Sequence, residues 1–285
     1  KKLRDKFTDS FVGIAIHQYN ESDVMYCRNY AILDFGGAPT CRINRNDVID
    51  PFYGSNDEDI SFDYEQELKK IATVGVSVTG TLNTDKTEVT ATTTIEPLVN
   101  GTYEIVYALI GDGLTGTENS WKQSNYYKYS PENVSNDSYL SPFCKGGEYG
   151  NSKVTLVFDD VLLASSYGSD HKNNAKLEEL KANQVVTNTY TLKLPNKNLL
   201  KEAIARAGYN KLAVVAMIIN NEGKIDNAAK FYLSDPAGIG GISENKGELK
   251  EIARYTIDGR KINSPQRGIN IVKLSNGSII KVLVK

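Results

Sequence analysis

The sequence predicts an α+β protein that is mainly β, and three observations carry that expectation. Between residues 73 and 235, segments that alternate polar and apolar side chains recur, separated by short turns rich in Gly, Asn and Asp. The chain holds 17 Tyr against 2 Met, with Thr and Asn plentiful in its middle, a palette suited to pleated, half-exposed surfaces. Helical periodicity is confined to short stretches near the front and to one stretch just before residue 212.

Three zones follow. In the first, residues 1–72, the charged run Lys1–Phe7 is helix-like, and Phe11-Val12-Gly13-Ile14-Ala15-Ile16-His17 reads as a buried strand. Residues 22–35 can be helical, with Ser22 or Asp23 as cap and Val24, Tyr30 and Leu33 on the apolar face. The turn Gly36-Gly37-Ala38-Pro39 leads into the alternating Thr40-Cys41-Arg42-Ile43-Asn44-Arg45, and residues 63–71 read as a second helix. Strands interleaved with helices predict an α/β unit.

The second zone, 73–236, predicts a β-sandwich of immunoglobulin or jelly-roll kind. Segments 74–82, 88–95 and 101–111 form a meander, followed by strands at 153–158, 185–194, 212–220 and 227–233, with a helix at 198–207. The stretch 112–152 has weak periodicity and is long for a connection inside one domain. Its Trp121, Tyr126, Tyr127 and Tyr129 offer ring faces on which a sugar or peptide can stack. The competing reading is an excursion that covers one end of the sandwich.

The third zone follows Pro236-Ala237-Gly238-Ile239-Gly240-Gly241, which has the composition of a linker. Strands at 252–257, 268–274 and 278–284, joined by Gly-containing turns, predict a small antiparallel β domain over 246–285. It has little apolar surface, so it is expected to dock or to be marginal alone, and protease is expected to cut first between 236 and 250.

Composition excludes several function classes. A net charge of −2 and a pI near 5.9 give no electrostatic basis for nucleic-acid binding. No apolar run is long enough for a transmembrane helix. Cys27, Cys41 and Cys144 are too few for a disulfide framework and show no C-x-x-C; Cys27 and Cys41 are either bridged or two separate thiols. His17 and His171 lie far apart without a motif, and His17 reads as structural. Asp159-Asp160 and Asn56-Asp57-Glu58-Asp59 match no calcium loop and read as solvated turns. No catalytic residue, metal or cofactor is expected.

Two resemblances add to this. Ala253–Ile262 with Tyr255, Gly259 and Arg260, then Gly268-Ile269-Asn270-Ile271-Val272, then the terminal strand ending in Lys285, resemble the type A sorting domain of the type IX secretion route. Asn270 stands where Tyr is commoner. The segments 11–17 and 37–45 resemble the outer-membrane-protein-28-related family of envelope lipoproteins, which pairs a thioredoxin-like domain with a β-sandwich. The resemblance implies that Ala38, Pro39 and Thr40 form a cis-Pro loop, and that 1–72 is a partial thioredoxin-like domain lacking its first strand and C-x-x-C. It further implies a non-catalytic binding or structural protein of a Gram-negative cell envelope, outer-membrane-associated, periplasm-facing or secreted. Its partner would be an envelope protein or glycan, with the export machinery meeting the tail. The alternative is a thiol-disulfide oxidoreductase whose C-x-x-C lies upstream of Lys1.

Overall fold

In the segment Glu88–Pro97 the side chains of Val89, Ala91, Thr93, Ile95 and Pro97 are buried while those between them are not, as a strand with one wet face requires. The structure, a computed structural model, describes residues 1–27, 40–49, 60–129, 136–167, 175–234, 251–256, 260–274 and 279–284. It is mainly β, with antiparallel sheets and short helices. The chain divides into two compact units, Lys1–Pro236 and Ala237–Lys285.

In the first unit, β1 (Val74–Leu82), β2 (Glu88–Pro97) and β8 (Val186–Lys193) form one antiparallel sheet in the order β1-β2-β8. The second sheet runs β10 (Ile225–Tyr232), β9 (Leu212–Ile219), β3 (Glu104–Gly111), β6 (Val161–Ser165), with the short β7 (Ala175–Lys176) also pairing β3. The two sheets share one core, in which Val78, Val89, Ala91 and Ile95 meet Ile105, Tyr107, Leu109, Val214, Ala216 and Ile218. At Gly80 they approach closely: a Cβ there would meet Leu233 Cδ2 at 2.7 Å and Val214 Cγ2 at 2.8 Å. One helix, α3 (Asn198–Ala207, after α1 and α2 below), adds Leu200, Ala203 and Ile204 to this core and ends at Gly208 with φ 101°.

The strands β3 and β9 are buried on both faces. Their alternate residues, Val106, Ala108, Ile110, Ala213, Val215, Met217 and Ile219, form a second apolar cluster on the outer face. Val12, Ile14, Ile16 and Cys27 cover it. Ala15 makes a parallel bridge to Val161, donating its N–H to the Asp160 carbonyl at 2.7 Å and accepting from Leu162 N at 2.9 Å. The helices α1 (Lys2–Lys6) and α2 (Ile60–Leu68) lie beside this segment and are joined by Phe7 and Tyr64, whose ring centres are 4.7 Å apart.

This corrects the expected boundary at residue 72. Residues 11–17 are not the central strand of an α/β unit. They are an added edge of the sandwich, because an apolar run buries itself against whatever apolar face is uncovered, and here that face belongs to β3 and β9. Cys41 likewise makes only a bridge to Ile49. Among the described residues 1–72 the regular elements are the helices α1 and α2. Residues 38 and 39 of the expected cis-Pro loop lie outside the described residues, as do His171, Gly259 and Lys285.

The second unit is a four-stranded antiparallel sheet in the order β12 (Lys261–Ile262), β11 (Glu251–Thr256), β13 (Gly268–Leu274), β14 (Ile279–Val284). Its buried side chains include Ile262 and Val272 but also Arg254 and Asn270. Asn270, 1% exposed, uses both ends of its amide. Its Oδ1 accepts from Gln266 N at 3.0 Å and Arg254 Nη1 at 3.1 Å, and its Nδ2 donates to the carbonyls of Gln266 at 2.7 Å and Gly268 at 3.2 Å. The remaining Arg254 donors grip Glu251 in a fork, at 2.8 and 2.6 Å. A tyrosine at 270 would lack the paired donor and acceptor that close this turn. Tyr255 is half-buried, Arg260 projects into solvent, and Thr256 and Arg260 close their hairpin through backbone and hydroxyl hydrogen bonds.

Candidate functional site

Between the N-terminal cover and the excursion 112–152 lies a cleft of about 1530 Å³. One wall is aromatic and comes from the excursion: Tyr127, Tyr139, Phe143 and Tyr149. Phe143 and Tyr149 pack with ring centres 5.2 Å apart, and Tyr139 donates to Asp5 Oδ2 at 3.3 Å. Phe11 and Tyr64 of the cover and the loop carrying Arg42 and Arg45 also line the cleft.

The excursion holds its shape without long strands because one buried side chain organises it. Asn125, 8% exposed, reaches the carbonyls of Phe143, Tyr149 and Asn151 through Nδ2 at 2.7, 2.9 and 3.1 Å, and its Oδ1 accepts from Tyr127 N at 3.0 Å. Two-residue strands, β4 (Gln123–Ser124) and β5 (Lys153–Val154), close its base. The strand expected over 153–158 is thus only its first two residues.

The sequence-predicted stacking residues separate in the fold. Trp121 is 1% exposed, stacked on Phe158 at 6.3 Å, with Gly116 so close to the indole that a Cβ there would overlap it. It is a core residue and does not face a ligand, which corrects the expectation. Tyr126 and Tyr129 are 82% and 80% exposed and stand on the surface, while Tyr127 is half-buried and lines the cleft. The cleft's Tyr139, Phe143 and Tyr149 were noted only as members of an aromatic-rich stretch, because nothing in their spacing marks a shared wall. Asn125 carried no sequence signal at all.

The charged groups around the cleft are largely committed to one another. Arg4 is gripped by Asp112 at 3.2 Å, Asp159 at 3.1 Å and Asp160, so the aspartate pair expected as a solvated turn anchors α1 to the sandwich. Tyr232 donates to Asp112 Oδ2 at 2.6 Å, and Asp160 N donates to Asp112 Oδ1 at 2.7 Å. Burial alone would raise the Asp112 carboxyl, but these donors and the Arg4 charge outweigh it and hold it below the usual carboxylate range. Burial, reinforced by the Asp112 carboxylate, pushes the Tyr232 phenol up.

A second anchor lies at the far end of the cover. His17 Nδ1 lies 2.8 Å from Asp23 Oδ2, which also accepts from Gln123 Nε2 at 2.9 Å, while Met25 N donates to Asp23 Oδ1 at 2.8 Å. Against the burial that would raise it, these bonds hold the Asp23 carboxyl low. Lys197, preceding α3, donates to the carbonyls of Asp23, Val24 and Tyr26 at 3.3, 3.3 and 3.2 Å. His17 is therefore a structural tie.

No disulfide joins Cys27, Cys41 and Cys144. Burial, with the nearby Asp63 charge, pushes the Cys41 thiol up, opposite to what a thiolate nucleophile needs. Among the described residues no cluster of three or more His, Cys, Asp or Glu is arranged to hold a metal ion, and no helix is long and apolar enough to cross a membrane.

No family model and no curated protein matches the chain. Among solved structures it is similar to DesR, a β-glucosidase from Streptomyces venezuelae in complex with D-glucose, at 13% identity and a TM-score of 0.20, over 57% of this chain and 15% of that one. A likeness at that level carries no functional argument.

Proposed function

We propose that the protein is a non-catalytic binding protein of the Gram-negative cell envelope, taking its ligand in the cleft between the N-terminal cover and the excursion. The observation that carries this reading is the cleft itself, at about 1530 Å³ with Tyr127, Tyr139, Phe143 and Tyr149 along one side. Half-buried aromatic rings beside polar groups suit a sugar or an extended peptide, which offer flat apolar faces and many hydrogen-bonding edges. The envelope setting, and a role for the tail in export, rest on the sequence resemblances.

Absence of catalysis is supported by the state of the side chains that would perform it. Asp112 and Asp23 are held low by their partners rather than poised near neutrality, and the Cys41 thiol is raised. The Cys41 thiol, raised by burial, does not suit the low-thiol role that an oxidoreductase would need from this part of the chain.

Calorimetric titration with neutral oligosaccharides and unstructured peptides tests the reading. Tyr139→Ala and Tyr149→Ala should each weaken binding by up to about tenfold, the scale of one lost aromatic stack. Full affinity in both variants would move the ligand out of the cleft. Insulin reduction that disappears in Cys41→Ser would replace the binding reading with the oxidoreductase.

A further inference from the structure

The loop 42–46 places a guanidinium where, among the described residues, no hydrogen-bond or ion-pair partner meets it. Arg45 Nε and Nη2 are shut off from solvent and make no hydrogen bond, and among the described residues Arg45 makes no ion pair. Its Cζ lies over the buried ring of Tyr167, 4.4 Å from the centroid. Neighbouring carboxylates are engaged elsewhere. Glu67 accepts from Lys70 at 2.6 Å and from Asn44 Nδ2 at 3.2 Å, and Asp226 accepts from the Thr73 and Val74 amides at 2.9 and 3.0 Å. Two guanidinium donors closed off without a hydrogen bond are costly, and since no described residue takes them, a partner that arrives from outside would relieve that cost.

The backbone supports the same conclusion. Asn44 and Arg45 both have positive φ, 51° and 61°, a conformation that non-glycine residues rarely adopt twice in succession. The loop is held there by Ile225 N donating to the Asn44 carbonyl at 3.0 Å, Asn46 N to the Ile43 carbonyl at 2.9 Å, and Arg42 Nη1 to the Asn46 carbonyl at 2.7 Å. Arg45 Nε and Nη2 are the adjacent pair that meets two oxygens of one oxyanion side by side. Both arginines of the loop line the cleft.

We infer that the Arg45 end of the cleft is an oxyanion site that takes a carboxylate, or a like-shaped phosphate, of the ligand through the Nε–Nη2 edge. This rests on the cleft reading and deepens it. The ligand is acidic, with its charged group at Arg45 and its stackable body along the aromatic wall. An acidic sugar and a peptide terminus share that chemistry.

Thermal shift and calorimetry on the full chain test it, with four probes: glucuronic-acid oligosaccharides, the same oligosaccharides methyl-esterified, a peptide with a free or amidated C-terminus, and inorganic phosphate. At least one oxyanion should bind at least tenfold tighter than its neutralised counterpart. Arg45→Gln and Arg45→Lys should each remove that preference, and ligand-free Arg45→Gln should melt no lower than the wild type. Which probe binds assigns the source of the oxyanion. Equal binding of acid and ester, unchanged affinity in Arg45→Gln, no response to any oxyanion, or a ligand-free melting loss of several degrees in Arg45→Gln would each overturn the site. Neutral oligosaccharide binding that Tyr149→Ala weakens and Arg45→Gln retains would leave the cleft reading standing while removing the oxyanion site.

Discussion

The two sheets of the first unit use the same antiparallel pairing yet differ in what they show to solvent. In β2 and β8 burial alternates, and the outer face carries threonines such as Thr90 and Thr191, whose hydroxyls lie 3.3 Å apart. In β9 every residue is buried, and in β3 all but the first. The difference is already written in composition: Glu88–Ile95 alternates, while Ile105–Ile110 and Leu212–Ile219 are continuous apolar runs. A continuous run demands cover on both faces. The second sheet gets it from residues 11–27, so the apparent first domain is the missing layer of the second.

The strongest way to break this comparison is to put a charge on each outer face. Val106→Asp, beneath the cover, should cost more than about 4 kcal/mol and abolish cooperative folding or nearly so, because its cross-strand neighbour Met217 and the cluster around it are apolar. Thr92→Asp, on the wet face of β2, should stay within about 0.5 kcal/mol of wild type. Urea unfolding of the two variants decides, and similar losses in both would mean that the outer face of β3 and β9 is not a core.

A middle-sized effect tests what fastens the cover. Arg4→Gln leaves Asp112, Asp159 and Asp160 without their shared cation and should cost about 1–3 kcal/mol at neutral pH. The sign with pH is fixed by Asp112. Its folded carboxyl lies below its unfolded value, so the wild-type contribution is complete above roughly pH 4 and is lost as pH falls through the folded value. Arg4→Gln should therefore flatten the acid limb of the stability curve, and parallel curves for variant and wild type would assign the anchoring to other contacts.

The smallest effect sharpens the exposed side. Thr90→Ala removes half of the cross-strand pair with Thr191 and should cost about 0.2–1 kcal/mol. A loss as large as that of a core truncation would show that this face is covered too.

Strand positions were legible because period-two alternation and Gly- or Asn-containing turns are local. Residues 74–82, 88–95, 212–220 and 268–274 match observed strands to within two residues. The role of 11–17 was not legible, since the helix-like runs around it imitate an α/β unit and its true neighbour, Val161, lies in a distant strand. Trp121 misled for a related reason: an aromatic in a loop looks available until Phe158 and Gly116 close around it. Asn270 looked like a departure from a pattern, yet its amide is the hub of the tail sheet. Arg45 looked like one more strand residue, because unpaired burial is a property of the assembled loop and not of any sequence window.

The cover has a consequence for synthesis. Residues 11–27 leave the ribosome before β3 and long before β9, the strands they shelter, exist. Until Leu212–Ile219 has been made, those residues have only part of their surface, that of β3 and β6, to fold onto. Once it has been made, its outward Ala213, Val215, Met217 and Ile219 are bare until the early segment returns. Closing so long a loop is slow compared with pairing neighbouring strands. The nascent chain therefore passes through a state that is sticky on one side, and a chaperone that holds it then guards a face the finished protein never shows.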